Sequence, residues 1–343
     1  MDSGRWRLLA GDFFKPLAVK AAAPVTPAAR RWPLKTLLVV LSLAATAYAL
    51  ALLLLGGGNA LMLQQSAAVI GSAAGAQAAL LCTANYVLRG LRWRIWMRRM
   101  GRPLGLAQGL RLYLAGYAFT PTPGNVGEAL RGVMLAQQPL TPAHSLAIFS
   151  AERLADLLCL LLLCLPAMGW AINSGFIASA APVWLWLAVA AGLTVLSLLA
   201  LGLAFRAQLQ TRLNGLYRSW LHPAWLCLRA HPVQWLALSL SAWAAQGAAV
   251  WLIAKAFGYD LGPVTAAAFY AVAMVAGALS ALPAGLGGTE VVLTSLLVAY
   301  GTPAAQALGI TVVVRLLTLW LAVGIGLLAL LYSAAIRKDL RLA

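Results

Sequence analysis

Residues 119–131 read Phe119-Thr-Pro-Thr-Pro-Gly-Asn-Val-Gly-Glu-Ala-Leu-Arg131. They interrupt an apolar chain. Pro121, Pro123, Gly124 and Gly127 break a helix, and Glu128 puts a charge where lipid would be expected. A second stretch, Pro283-Ala-Gly-Leu-Gly-Gly-Thr-Glu290, does the same with Pro283, Gly285 and Gly288. Downstream of each comes Thr-Pro-Ala, at Thr141 and at Thr302, and then an apolar helix with a mid-helix arginine, Arg153 or Arg315. Glu128 and Arg153 are 25 residues apart, as are Glu290 and Arg315. The pattern predicts an internal repeat at an offset of about 162 residues, with halves at about 104–172 and 261–332.

Composition fixes the class. Charged residues are 10% of the 343 and apolar residues 62%, where soluble domains carry roughly 25% charge. Several runs can cross the ~30 Å hydrocarbon core. The net charge of +17 does not point to nucleic acid, because the basic residues lie between apolar spans, where the positive-inside rule puts them. The cysteines form no spaced pair and the histidines show no metal spacing, so neither a metal nor a cofactor is expected.

Taken in order, residues 1–33 are a cytoplasmic segment with Trp6, Leu9 and Phe13 at the spacing of an interfacial helix, and the first apolar run starts too late for a signal peptide. Residues 34–335 form a single transmembrane domain and 336–343 a cytoplasmic tail. Full spans are expected at 34–55, 67–88, 143–170, 183–205, 233–257 and 303–332. The segments 104–119 with 129–137, and 264–282 with 289–300, are too short to cross alone and are expected to turn back. The six arginines within 89–103 imply a basic loop or a helix on the inner leaflet surface, and 206–230 with Trp220 a second such helix, both able to hold anionic inner-leaflet lipids. The expected fold is therefore an all-α polytopic membrane protein. It has about six full spans plus two re-entrant broken helical hairpins, entering from opposite leaflets as an inverted-topology repeat, with both termini inside.

Glu128, Glu152, Arg153, Asp156, Glu290 and Arg315 lie at the breaks or well inside spans, with Arg153 and Arg315 roughly 15–18 Å deep. Each would cost about 2.5–3.5 kcal/mol alone in lipid, so they must face one another or water. With Arg111 and Arg131 they make a balanced set of four acids and four arginines. Two uses fit: buried ion pairs that lock helices, or a polar cavity that receives a lipid head group. Glu128 and Glu290 are the candidate proton or head-group partners, countered by Arg153 and Arg315. The glycines at the breaks match no Walker or Rossmann spacing, although a half-helix N-terminus attracts anions.

Pro123-x-x-x-Gly127-Glu128-x-x-Arg131, Glu152-Arg153-x-x-Asp156 and Pro283-x-Gly285-x-Gly287-x-x-Glu290 resemble the three signatures of the lysylphosphatidylglycerol synthase transmembrane-region family, over about residues 35–335. The resemblance implies a polytopic lipid translocator of the bacterial inner membrane, a stand-alone member without the soluble synthase domain. Phospholipids, hopanoids or polyprenyl-phosphate sugars would be its cargo and lipid-biosynthesis enzymes its neighbours. Many members carry arginine at the positions of Asn125 and Thr289, and losing both counts against a strongly anionic head group. The alternatives are a membrane-embedded lipid-phosphate transferase or hydrolase, which would use the carboxylates as acid and base, and a scaffold subunit, which needs no buried charge. Cysteines placed within 56–66 should react with reagents from the outer face; labelling from the cytoplasm alone would reverse the topology.

Overall fold

The structure is a computed structural model that describes residues 60–133, 135, 139–175, 215, 217–280 and 282–336. Every element among them is helical. The expected interfacial helix near Trp6, the spans at 34–55 and 183–205 and the tail beyond 336 lie outside the described residues, as do Leu209, Leu213 and Leu216 of the expected surface stripe.

Helix α1, Ala60–Ile70, and helix α2, Ala73–Arg99, meet at a 67° bend. Gly71 and Ser72 make that corner, and the Ser72 hydroxyl restarts the helix by accepting the Gly75 N–H at 3.2 Å. The expected outer loop within 56–66 is thus partly helical, and the expected span at 67–88 is bent near its start. A larger correction concerns 89–103. These residues are neither a loop nor a surface helix through Arg99, because α2 runs straight on through them. Tyr86, Arg89, Trp93 and Trp96 recur at i, i+3, i+7 and i+10 and so share one buried face. That face packs on α7, Pro232–Ala256, with Trp96 and Trp235 rings 6.4 Å apart and Asn85 donating to the Ala242 carbonyl at 2.8 Å.

Helix α3, Leu106–Ala115, tightens into a 3₁₀ turn at Gly116–Phe119. The first break follows as a 3₁₀ turn at Pro123–Ala129, and the return limb α4, Leu130–Val133, is only a single helical turn. Helix α5, Pro142–Asn173, starts with Pro142 at its first position and Thr141 accepting the His144 N–H at 3.2 Å. Helix α6, His222–Arg229, follows a π turn at Tyr217–Leu221 and lies on α5, where Trp220 donates to the Ser150 hydroxyl at 2.9 Å. The corner after α7 is tied by Asp260, which accepts from Trp251 at 2.9 Å and from the Gly262 N–H at 3.0 Å; these bonds hold its carboxyl below the usual range.

The second break is fuller. Helix α8, Pro263–Leu279, leads to a 3₁₀ turn at Pro283–Gly285, and α9, Gly288–Ala299, returns. Each break holds a non-glycine residue in the left-handed region, Asn125 at φ 56° and Ala284 at φ 54°. The chain finishes with α10, Ala304–Arg315, a π turn at Leu316–Trp320 and α11, Leu321–Ile336. Among the described residues, three helical runs are long and apolar enough to cross a membrane: Pro142–Asn173, Pro232–Ala256 and Ala304–Ser333. The bent α1–α2 pair makes a fourth if it counts as one span. The outward face of α5 is apolar and exposed at Leu154, Leu158, Leu161, Leu165, Met168 and Ile172, a surface suited to lipid rather than water.

Packing follows a reciprocal pattern. The two breaks pack on each other, α2 packs on α7, α3 packs on α11, and α8 packs on α5. The entering limb of each half thus lies against the long helix of the other half. The α3–α11 contact is close enough that a Cβ at Gly326 would stand 2.5 Å from the Ala118 nitrogen. Gly326→Val should therefore push α11 off the 3₁₀ turn and destabilise the protein by about 1–3 kcal/mol. Thermal melting in detergent reads this, and unchanged melting would show that the contact is looser than described.

Candidate functional site

The charged side chains enter the interior from four elements. Arg89 and Arg92 come from α2, Glu128 and Arg131 from the first break and α4, and Glu152, Arg153 and Asp156 from α5. Arg92 is fully buried, and Arg89, Glu128, Arg131, Glu152 and Asp156 are nearly so.

Asp156 is the hub. Its Oδ2 receives Arg89 Nη2 at 2.7 Å, and its Oδ1 receives Arg92 Nη1 at 2.7 Å and the Trp243 indole at 3.2 Å. Arg92 also donates to the Ser239 hydroxyl at 2.7 Å. Arg131 bridges the other two acids. One guanidinium nitrogen donates to Glu128 Oε2, and the other donates to both oxygens of Glu152 at 3.3 Å. The Thr120 hydroxyl completes Glu128, donating to its Oε1 at 2.9 Å. Local backbone geometry makes room for this. A Cβ at Gly116 would lie 2.0 Å from Arg131 Nε, so only glycine lets the arginine lie across the turn.

Each arginine also meets an aromatic face. Arg131 stands 4.3 Å from the Tyr113 ring, Arg92 5.2 Å from Trp96, Arg89 5.4 Å from Trp243 and Arg153 5.2 Å from Phe149. In a desolvated setting the ring quadrupoles stabilise the cations beyond what their carboxylates supply. Trp93, Glu128, Arg131, Ser145, Phe149 and Glu152 line a narrow crevice that is closed too tightly in this conformation to hold a water molecule.

The second half holds a simpler set. Glu290 sits in the first turn of α9, where one oxygen accepts the Gly287 N–H at 2.8 Å and the other accepts Arg315 Nε at 2.7 Å. Arg315 Nη2 donates to the Ala284 carbonyl at 2.9 Å, so a single arginine fixes both the helix start and the break. The π turn beginning just after Arg315 frees backbone carbonyls, and the Tyr86 hydroxyl lies 2.9 Å from Leu317 O and 3.1 Å from Thr318 O.

The expected residues therefore fall into two groups. Glu128, Arg131, Glu152, Arg153 and Asp156 come together, and Glu290 pairs with Arg315 as the spacing predicts. Three expectations are corrected. Arg153 is not the counterpart of Arg315: its side chain is 31% exposed, and its Nη2 stands 3.6 Å from Glu128 and 3.3 Å from Asp156, while Arg131 is the close partner of Glu128. Arg111 is no member of the set and lies 5.5 Å over the Tyr332 ring. Arg89 and Arg92 belong to it, although the sequence places them in a basic loop or an inner-surface helix. The signal that could have found them is their placement four residues before Trp93 and Trp96, on the apolar face of one helix. Among the described residues, no group of three or more His, Cys, Asp or Glu side chains could hold a metal ion.

Arg315→Leu should leave Glu290 buried without its cation and cost about 3–5 kcal/mol. Arg153→Leu should cost less than about 1 kcal/mol, since Glu128 keeps Arg131 and Asp156 keeps Arg89 and Arg92. Melting of the two variants in detergent measures both, and equal losses would contradict the division.

Residues 36–326 match the family model for the lysylphosphatidylglycerol synthase TM region, and the chain belongs to that family. A "UPF0104 membrane protein" from Methanothermobacter thermautotrophicus is 33% identical over 89 residues, 26% of this chain and 27% of the relative. The match thus spans about a quarter of that relative's length. No solved structure matches the chain.

Proposed function

We propose that this member of the family is a lipid translocator of the bacterial cytoplasmic membrane, moving a polar-headed lipid between leaflets. The observation that carries the reading is the packing of the two chain breaks on each other, with the Glu152–Arg131–Glu128 network directly behind the first and the Glu290–Arg315 pair behind the second. Irregular backbone at membrane depth is stable only inside protein or beside a wet cavity. A site between two such breaks is where transporters built from inverted repeats hold their cargo.

The mechanism follows from the charges. A head group is admitted beside Glu128, Arg131 and Glu152 once the crevice opens, and its tails stay in lipid. The head group then replaces some of the contacts among these residues rather than adding a new desolvated charge, which keeps the cost of entry low. Rocking of one half against the other, about the contact of the two breaks, exposes the crevice to each leaflet in turn. Reciprocal packing supports this, since each half is gripped by an element of the other. The opposite-leaflet entry of the two hairpins and the cytoplasmic termini belong to the same proposal.

The test is reconstitution of the full chain into vesicles with a fluorescent phospholipid in the membrane and a membrane-impermeant quencher outside. Accelerated loss of inner-leaflet fluorescence is expected, reduced at least about tenfold by Glu128→Gln. A rate no faster than that of protein-free vesicles would overturn the reading. Cysteines at Gly127 and Gly288 should also crosslink, and a crosslinked protein should stop moving lipid if the breaks must separate.

A further inference from the structure

The π turn at Tyr217–Leu221 and helix α6 have a face that the charged network does not use. Their inner side lies on α5: Trp220 donates to Ser150, and Pro223, Ala224 and Cys227 are buried. The other side is apolar and basic at once. Tyr217, Leu221 and Trp225 are exposed, and so are Arg218 and Arg229. The Arg229 guanidinium stands 6.0 Å from the Trp225 ring. The acids of the described residues are engaged elsewhere. Glu128, Glu152 and Asp156 pair with arginines of the network, Glu290 pairs with Arg315, and Asp260 lies past the far end of α7.

The level of this face follows from α5. Its exposed apolar side chains run from Leu154 to Ile172, a rise of about 27 Å along the helix axis. That matches the ~30 Å hydrocarbon core. Ser150 lies one turn before Leu154, about 6 Å beyond the edge of the band. Trp220 is bonded to Ser150, so the π turn and α6 sit at the depth of the lipid head groups. The same end of the molecule is rich in arginine. Arg102, just past α2, is close enough to His144 in the first turn of α5 for its charge to act on the imidazole. By the positive-inside rule this is the cytoplasmic end.

We propose that Tyr217–Arg229 is a docking surface for the acidic head groups of the cytoplasmic leaflet. Tyr217, Leu221 and Trp225 enter the layer between head groups and tails, where amphipathic rings settle. Arg218 and Arg229 hold lipid phosphates, which match the guanidinium fork. Neutral lipids offer the same tails and the same phosphate, but their own cation cancels the charge that draws an arginine. Acidic lipids are therefore concentrated beside α6. The lipid contact expected of 206–230 passes from Trp220, which is bonded to α5, to the three exposed side chains. The surface lies outside the crevice and stands apart from the translocator reading.

The test uses the full chain with Leu221→Cys, carrying a fluorophore in the leucine's place, and Cys164→Ala. Cys82, Cys159 and Cys227 are buried and stay. Two nanodisc preparations share one composition, three parts phosphatidylcholine to one part phosphatidylglycerol. Dibrominated tails, which quench the fluorophore on contact, are carried by the phosphatidylglycerol in one and by an equal number of phosphatidylcholines in the other. Both should quench, the brominated phosphatidylglycerol at least about twofold more strongly. High salt should erase that excess. Arg218→Gln with Arg229→Gln should erase it too and leave quenching by phosphatidylcholine in place. Both side chains are exposed, so the double variant should melt as the parent does, and the salt arm tests the charge without any variant. No quenching by either lipid would overturn the docking surface and leave the face to water or a protein partner. Equal quenching by the two would overturn the acidic preference. An excess that survives in the folded double variant would overturn the assignment to Arg218 and Arg229. The readout does not involve lipid transfer, so a protein that moves no lipid leaves this inference standing and removes the translocator reading alone.

Discussion

A charge inside an apolar chain must find its counter-charge before the fold can close, and that requirement places most of the helices described here. Asp156 receives two arginines from α2 and an indole from α7, so one carboxylate sets how three helices meet. Arg131 does the same for the first break and α5. Hydrophobic packing alone would not fix these positions, because lipid tails solvate a leucine as well as another leucine does. Directed hydrogen bonds between ions supply the register that apolar contact lacks.

The surroundings of the two breaks differ. The second half has long limbs on both sides of its break and one ion pair that holds Glu290 against α10 and the break at Ala284. The first half has a return limb of a single turn and a shared network of arginines and acids. A pair satisfied on both partners resists change, whereas a network with spare donors can exchange partners. The charges around the first break can thus rearrange more readily than the pair that holds the second.

How much of this was legible depended on what each residue signals locally. The breaks were plain, since proline and glycine in an apolar run have few other uses, and the common spacing from acid to arginine located the Glu290–Arg315 pair. Helices at 142–173, 232–256, 263–279 and 288–299 followed from hydropathy. What failed was the assumption that equal spacing means equal pairing. Arg131 lies three residues from Glu128 and took its carboxylate, leaving Arg153 half outside. Arginines near an apolar span also have two meanings. Arg89 and Arg92 carry the same charge as the basic residues of a loop, and only their phase with Tyr86, Trp93 and Trp96 separates a buried face from a flank. The partner that makes burial tolerable, Asp156, lies too far along the chain for any local pattern to reveal.

That distance has a consequence in time. Arg89 and Arg92 are separated from Asp156 by 67 and 64 residues. At ~5–20 residues per second of synthesis, the lower half of α2 leaves the ribosome about 3–13 s before its counter-ion exists. Glu290 and Arg315, 25 residues apart, wait only about 1–5 s at the same rate. The two arginines must spend that interval at the membrane surface, where water and anionic lipid can solvate them. The arrival of α5 then draws them inward. The order of assembly is therefore written into the charge pairing: the first half cannot settle until its own last helix is made, while the second closes almost as it emerges.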